Sequence, residues 1–426
     1  MVRLVVDRLR WSWWLFFGFA VLARFPASAS AGAEPRGVLS LQDALAAAAD
    51  RAPSLRGFRA ELEVRDAEAL QASLPPNPDV ELEQENFAGT GNARAWNEAE
   101  TTLGVSMPLE LGAKRERRVE LAQLDRRLTE WDHREARRAV RLATADAFVR
   151  TLAAQERLAR ARESAELERA LLATVERGVR AGAAAVVEAK RAALAVSRAD
   201  TEVDRLGQEL AAARLALAAS WGASEPTFEA VRGDLARLEA PPAIDELLAK
   251  VEAWPAVSRF GDEGARARAV LALEEARAAP GLRLGVGVRH LAADDDVAMV
   301  ASVGVPLPLF DRNQGAIEAA RRSSMVSADR ADAARIESAA AVRALHHEAS
   351  AAFARVDRLR GSLLPEAEGV YREAREAYQR GLFRLTDVLE TQRSLFELRL
   401  ELIDELERHQ RAAVALELAF QEGESR

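Results

Sequence analysis

The sequence predicts a mainly helical fold that carries two short pairs of β-strands and is built twice over within one chain. Three observations predict it. Ala, Glu, Arg and Leu dominate the 426 residues, a composition that favours long helices. Proline and glycine are missing from the whole stretch Ala113 to Arg177. Segments of the first half recur in the same order about 200 residues later, as an internal duplication requires.

Composition narrows the function classes. The formal net charge is −8, so no basic excess offers itself to nucleic acid. There is no cysteine, which removes disulfides, thiolate metal sites and a lipid-anchored N-terminal Cys. Residues 1–31 read as a secretory signal peptide: Arg3, Arg8 and Arg10 precede the apolar run "WSWWLFFGFAVL" (11–22), and "ASASA" (27–31) offers small-residue cleavage sites. Arg24 and Pro26 cut that run short as a membrane helix. Beyond it no apolar stretch approaches the ~18 residues a spanning helix needs. The expectation is an exported chain that meets any membrane by other means.

The duplication defines the organisation. "LQDALAAAADRAPSLRGF" (41–58) resembles "AIDELLAKVEAWPAVSRF" (243–260), with Pro53 facing Pro255. Pro108 matches Pro306, and Gly182 in "ERGVRAGAAAVVEAKRAAL" matches Gly381 in "REAYQRGLFRLTDVLETQRSL". The first repeat is expected over 38–222, with a hairpin at 79–109 and a long helix pair at 113–220. A linker is expected at 223–242. The second repeat then spans 243–421, with its hairpin at 282–308 and helix pair at 316–421, leaving a tail at 422–426.

The strand readings rest on period-two alternation. In "VAMVASVGVPL" (297–307), Val297, Met299, Ala301, Val303, Val305 and Leu307 share one face. Leu282, Leu284, Val286 and Val288 alternate with Arg283, Gly285, Gly287 and Arg289. "DVELEQENF" (79–87) and "TTLGVSMPL" (101–109) complete the set. Runs of ~9–11 residues with one apolar face fit membrane strands, although a soluble sheet gives the same pattern. The aromatic girdle of such a barrel is thin, with Phe87, Trp96 and Phe310 its main members. Glu81, Glu83 and Glu85 share one strand face, where they either serve solubility or line a lumen.

The helix readings follow. A helix over 113–177 reaches roughly 100 Å at about 1.5 Å per residue. Its counterpart over 316–380 carries Pro365, which should kink or break it. In the last helix Val388, Leu395 and Leu402 recur every heptad, a coiled-coil seam. Pro306 and Pro308 donate no ladder hydrogen bond, so they end strand pairing while keeping the chain extended. "DRNQG" (311–315) follows, with Asp311 or Asn313 available as helix N-cap. Four strands cannot cross a bilayer alone, because open edges leave backbone groups unsatisfied in hydrocarbon. Closure therefore needs several chains around an axis.

On these motifs the chain resembles the TolC family of trimeric outer-membrane efflux ducts. "GVPLPLFDRNQGAIEAA" (304–320) is similar to the strand-to-helix junction of its CzcC-like heavy-metal branch, and "YQRGLFRLTDVLETQRSL" (378–395) to its periplasmic turn and return helix. The resemblance covers about 38–421. It implies a mainly α fold with membrane β: a long α-helical coiled-coil barrel plus four transmembrane strands per chain, closed by trimerisation in the outer membrane of a Gram-negative bacterium. It implies a homotrimer, a periplasmic adaptor, an inner-membrane pump of the RND type and outer-membrane lipid as partners, with no nucleic acid, cofactor, resident metal or catalysed reaction. By resemblance, Gly381, Leu382 and Gly182 are adaptor-contacting turns. Asp387 and Glu390, six and nine positions after Gly381, are gate carboxylates, with Glu188 their counterpart and Arg191 where a second one would stand. Residues three apart share a helix face, which accords with the pair. Pro108, Pro306 and Pro308 mark the strand-to-helix junctions.

Other chemistry finds little support. His133, His290, His346, His347 and His409 are scattered and read as ordinary surface histidines, and the adjacent pair points to different helix faces. "GLRLGVGVRH" lacks the glycine spacing and the following helix of a dinucleotide loop. Two other functions fit the same pattern: a protein-secretion duct, and a periplasmic coiled-coil scaffold with a soluble hairpin layer.

Overall fold

The structure is a computed structural model that describes residues 34–420. The expected signal segment 1–31 and tail 422–426 lie outside the described residues. The first half contains β1 (Gly37–Ser40), α1 (Leu41–Arg51), α2 (Phe58–Ser73), β2 (Asp79–Glu85), β3 (Glu100–Leu109), α3 (Lys114–Arg180) and α4 (Val186–Ala219). The second contains β4 (Phe228–Arg232), α5 (Ile244–Ala249), α6 (Pro255–Arg277), β5 (Leu282–Leu291), β6 (Asp296–Gly304), α7 (Gln314–Arg358), α8 (Leu364–Gln379) and α9 (Leu385–Phe420). Each half runs from short helices through a pair of strands to a pair of long helices.

Helix α3 runs unbroken for 67 residues, as the absence of proline, and of glycine before Gly178 in its last turn, allows. Its counterpart does not break at Pro365. A π turn at Leu359–Leu363 sits immediately before the proline, which then occupies the first turn of α8. Widening the turn there accommodates the missing N–H and the ring. Val356 and Leu359 stay buried through it, so packing holds the helix together where local propensity would end it.

Two strands went unanticipated. β1 and β4 pair in parallel, and β4 lies inside the segment read as a linker. They belong to a belt around the middle of the long helices. Leu39, Ala44, Phe228 and Val231 pack with Phe148 and Leu152 of α3, Trp221 after α4, and Ile403 and Leu406 of α9. A smaller cluster of Leu247, Trp254, Val257, Val342 and Leu416 repeats the arrangement in the second half. His409 corrects the surface reading of the histidines. It is 2% exposed, with Nδ1 3.2 Å from the Ala349 carbonyl oxygen.

The remaining strands form one antiparallel sheet in the order β2-β3-β5-β6, so β3 and β5 join the two repeats. No described helix is long and apolar enough to cross a membrane.

Candidate functional site

The sheet has two chemically different faces, because its register keeps every alternation in phase. Leu82 pairs with Leu103, Leu103 with Val288, and Val288 with Met299. Val80, Val105, Val286 and Ala301 form the next row. Most of these side chains are exposed, Met299 at 79%. The opposite face is polar. Glu81, Gly104 and Gly287 share one row, and Glu83, Thr102 and Arg289 another. Arg283 lies 3.3 Å from Asp79 and 3.6 Å from Glu81, while Arg289 lies 2.9 Å from Glu85 and 2.6 Å from Glu100. Of the three carboxylates singled out in the sequence, Glu81 and Glu85 have arginine partners across the sheet. Gly104 and Gly287 let adjacent backbones approach, since a Cβ on Gly287 would sit 2.9 Å from the Leu103 carbonyl oxygen.

At the seam between sheet and helices, Pro306 and Pro308 follow the last residue of β6. Pro108 lies opposite Arg283, beyond the last rung of β3 with β2 at Ser106–Asp79. Asn313 holds the N-cap position, but in left-handed conformation (φ 59°) and without a capping bond. Its side chain donates instead to the Glu274 carbonyl at 2.8 Å and carboxylate at 2.7 Å. Lys114 donates to the Ala279 carbonyl at 2.7 Å. Both junctions are thus tied to the C-terminal end of α6.

The far ends of the long helices carry the two predicted turns. Gly182 and Gly381 both have φ of 75°, the left-handed position that follows a helix end and that suits glycine. Ala183 donates its N–H to the Gly178 carbonyl and Leu382 donates to that of Ala377, so both turns are Schellman motifs. Leu382 and Phe383 at one tip and Val186 and Val187 at the other are exposed apolar side chains. Beneath them Leu171, Val175, Ala192, Ala374, Leu385 and Val388 form a core shared by α3, α4, α8 and α9.

The three gate candidates separate. Asp387 is half-buried and accepts a hydrogen bond from the Arg384 backbone N–H at 3.1 Å, which caps the start of α9. Glu390 is exposed and lines an open groove of about 730 Å³ between α3, α4 and α9, which also includes Arg191, Arg198 and Arg393. Glu188 accepts from the Tyr378 hydroxyl at 3.4 Å, linking α4 to α8. Burial, then the Glu188 charge, raises the Tyr378 pKa.

Two further residues of this groove were missed. Gln392 is 3% exposed, and neither polar atom of its side chain has a partner among the described residues. Glu168 has an unpartnered Oε2, and burial pushes its carboxyl up to about 7. Both are legible as heptad positions: Gln392 follows Leu385 and Val388, and Glu168 stands midway between buried Ala161 and Val175. Reading those seams for polar interruptions would have found them.

The family model described as "Outer membrane efflux protein" matches residues 44–223 and 263–420, taking in both hairpins and both helix pairs. The chain belongs to the outer membrane efflux protein family. It is therefore an outer-membrane efflux channel component and not an enzyme. Among relatives of this family, it is 29% identical over 384 residues to the cobalt-zinc-cadmium resistance protein CzcC of Cupriavidus metallidurans, covering 90% of each chain. It is 28% identical over 333 residues to the nickel-cobalt-cadmium resistance protein NccC of Alcaligenes xylosoxydans, covering 76% of this chain and 73% of that one. The same fold is seen in CusC, with a TM-score of 0.67 at 19% identity over 89% of this chain and 91% of that one. The outer-membrane protein VceC of Vibrio cholerae gives 0.68 at 17%, over 90% of this chain and 95% of that one.

Proposed function

We propose that three copies close a twelve-strand barrel in the outer membrane, with the long helices forming a tunnel beneath it, as the passive exit duct of a tripartite efflux system. The observation that carries this reading is the four-strand sheet. One face is apolar and exposed, the other is polar, and both edge strands, β2 and β6, lack a partner on their outer side within the described residues. A lone sheet of this kind is unstable in lipid, whereas a closed ring satisfies every backbone group. Exposed apolar residues on the outer helices support the same assembly: Val64 and Leu70 on α2, and Met325, Val326 and Ile336 on α7. Each set becomes buried where α2 of one copy meets α7 of the next.

The polar face then lines the lumen. Asp79, Glu81, Glu83 and Glu85 of β2 outnumber Arg283 and Arg289 of β5, which favours cations in transit. Divalent metal ions are the cargo this charge fits, and the relatives named for cobalt, zinc, cadmium and nickel resistance support it. The exposed Leu382 and the turns at Gly182 and Gly381 receive a periplasmic adaptor that holds an inner-membrane pump of the RND type. Glu390, Asp387 and Glu188 narrow the closed end. Outer-membrane fractionation, heat-modifiable trimers in detergent and conductance in planar bilayers test the duct, and a soluble monomer refutes it. Loss of cobalt, zinc or cadmium tolerance on deletion tests the cargo. A deletion strain sensitive only to organic toxicants removes the metal assignment.

A further inference from the structure

Phe310, at 90%, is the most exposed large apolar side chain among the described residues. Val305, Leu307 and Leu309 stand beside it at 50%, 73% and 64%. This cluster follows the last rung of β6, between Gly304 and the start of α7. Its position follows from the prolines. Pro306 and Pro308 hold the chain extended after ladder pairing stops, so the alternation of β6 carries on. Val305 and Leu307 therefore continue the outward row of Val297, Met299 and Val303. The Leu309 N–H then donates to the Leu307 carbonyl at 2.9 Å, a tight turn that ends the row. Exposed Asp311 and Arg312 come next, so the surface passes from apolar to charged within a few residues.

Pairing with the strand of a neighbouring copy does not by itself account for this exposure. Closure adds the next β2 in the plane of the sheet, at the edge of β6, and leaves its outward face uncovered. The cluster is also held at a fixed height, because Asn313 is bonded to Glu274 at the end of α6. The first repeat has a smaller counterpart: Leu111 is 46% exposed, but Leu109 is half-buried, no aromatic stands beside them, and Gly112 follows directly. Nor has the chain a cysteine to carry an acyl anchor.

We infer that Leu307, Leu309 and Phe310 form an apolar foot that lies in the periplasmic-side leaflet of the outer membrane and fixes the depth at which the barrel sits. The inference rests on the barrel reading and adds to it a lipid contact below the last hydrogen-bonded rung. Large apolar side chains beside charged ones suit the boundary between acyl chains and headgroups.

The absence of cysteine makes the test direct, since one introduced thiol labels uniquely. Full-length Phe310→Cys, Leu309→Cys and Met299→Cys carry a small fluorophore in phosphatidylethanolamine–phosphatidylglycerol vesicles. Each is read with brominated acyl chains and with aqueous iodide. Brominated lipid is expected to quench most of the emission at 310 and 309, with iodide having little effect. Met299→Cys reports the mid-strand lipid face separately. Lipid quenching at 299, with iodide quenching at 309 and 310, overturns the foot and leaves the barrel standing. Shielding of 309 and 310 from both quenchers also overturns it and places a second copy of the chain there. No lipid quenching at 299 overturns the barrel and the foot together.

Discussion

Replacing Glu168 with Gln tests the polar interruption in the helical tip most sharply. The carboxyl lies between the apolar cluster of Leu158, Ala161 and Leu206 and that of Leu171, Val175 and Val388. Burial raises its pKa from 4.5 to about 7. At ~1.4 kcal/mol per unit the ceiling is about 3 kcal/mol, and because the carboxyl is partly open to the groove, screening reduces this to roughly 1–2 kcal/mol. The sign follows from which state holds the proton. Below 4.5 both folded and unfolded chains are protonated at this site, and no penalty applies. Between 4.5 and about 7 the unfolded chain ionises while the folded one does not, so the wild type loses stability as pH rises. Above that window the loss is constant. Glu168→Gln stays neutral throughout. Its melting temperature should match the wild type near pH ~4 and exceed it increasingly up to pH ~8. Melting of purified protein across that range, followed by circular dichroism, measures the difference. Arg191, Arg198 and Arg393 share the groove with Glu202, Glu390 and Glu397. Parallel pH profiles for the two proteins would refute the burial argument.

Other perturbations bear on separate parts of the molecule. Arg157 of α3 bonds Asp404 at 2.7 Å and also Glu407, both on α9, and Glu407 is only 13% exposed. Arg157→Met should cost about 3 kcal/mol by leaving Glu407 uncompensated, and Arg157→Met/Glu407→Met should recover most of it in chemical denaturation. Gly287→Val drives a side chain against the β3 backbone. Heat-resistant assembly in outer-membrane fractions should fall, with a cost of ~1–3 kcal/mol. Glu390→Ala should raise single-channel conductance, and an unchanged value removes it from the gate. Asp387→Ala should instead weaken the start of α9, by roughly 1 kcal/mol in melting, because its carboxylate caps that helix. Glu83→Gln should lower the cation preference of the reversal potential, and no change would take Glu83 off the conduction path.

Strong periodicity was legible and weak periodicity was not. β6 shows a two-residue alternation broken only at Val300, and α3 has no proline, and no glycine before Gly178. Both appear where the pattern put them. β1 and β4 have four and five residues, and each finds its partner in the opposite half of the chain. Short parallel strands leave no local trace of such a partner. Pro365, read as a kink or a break, coincides with a π turn instead of a chain break, because packing of α7 and α8 holds the helix together there. At the tip, the glycine turns were readable because the left-handed position after a helix end favours glycine. The role of Asp387 was half-readable. Its spacing from Glu390 suggested a shared polar face, but its place in the first turn of α9 makes it a helix cap as well. Gln392 and Glu168 show that a heptad seam carries information where it is interrupted, as well as where it is filled.

The paired turns at Gly182 and Gly381 set a symmetry for whatever meets the tunnel. In the proposed trimer, three copies, each presenting the same backbone knuckle twice, would give a rim of six matching shapes. A ring of six identical partner subunits could seat one member on each. The seats alternate in grip, however: Leu382 and Phe383 offer large apolar side chains where the other knuckle has Ala183 and Ala184.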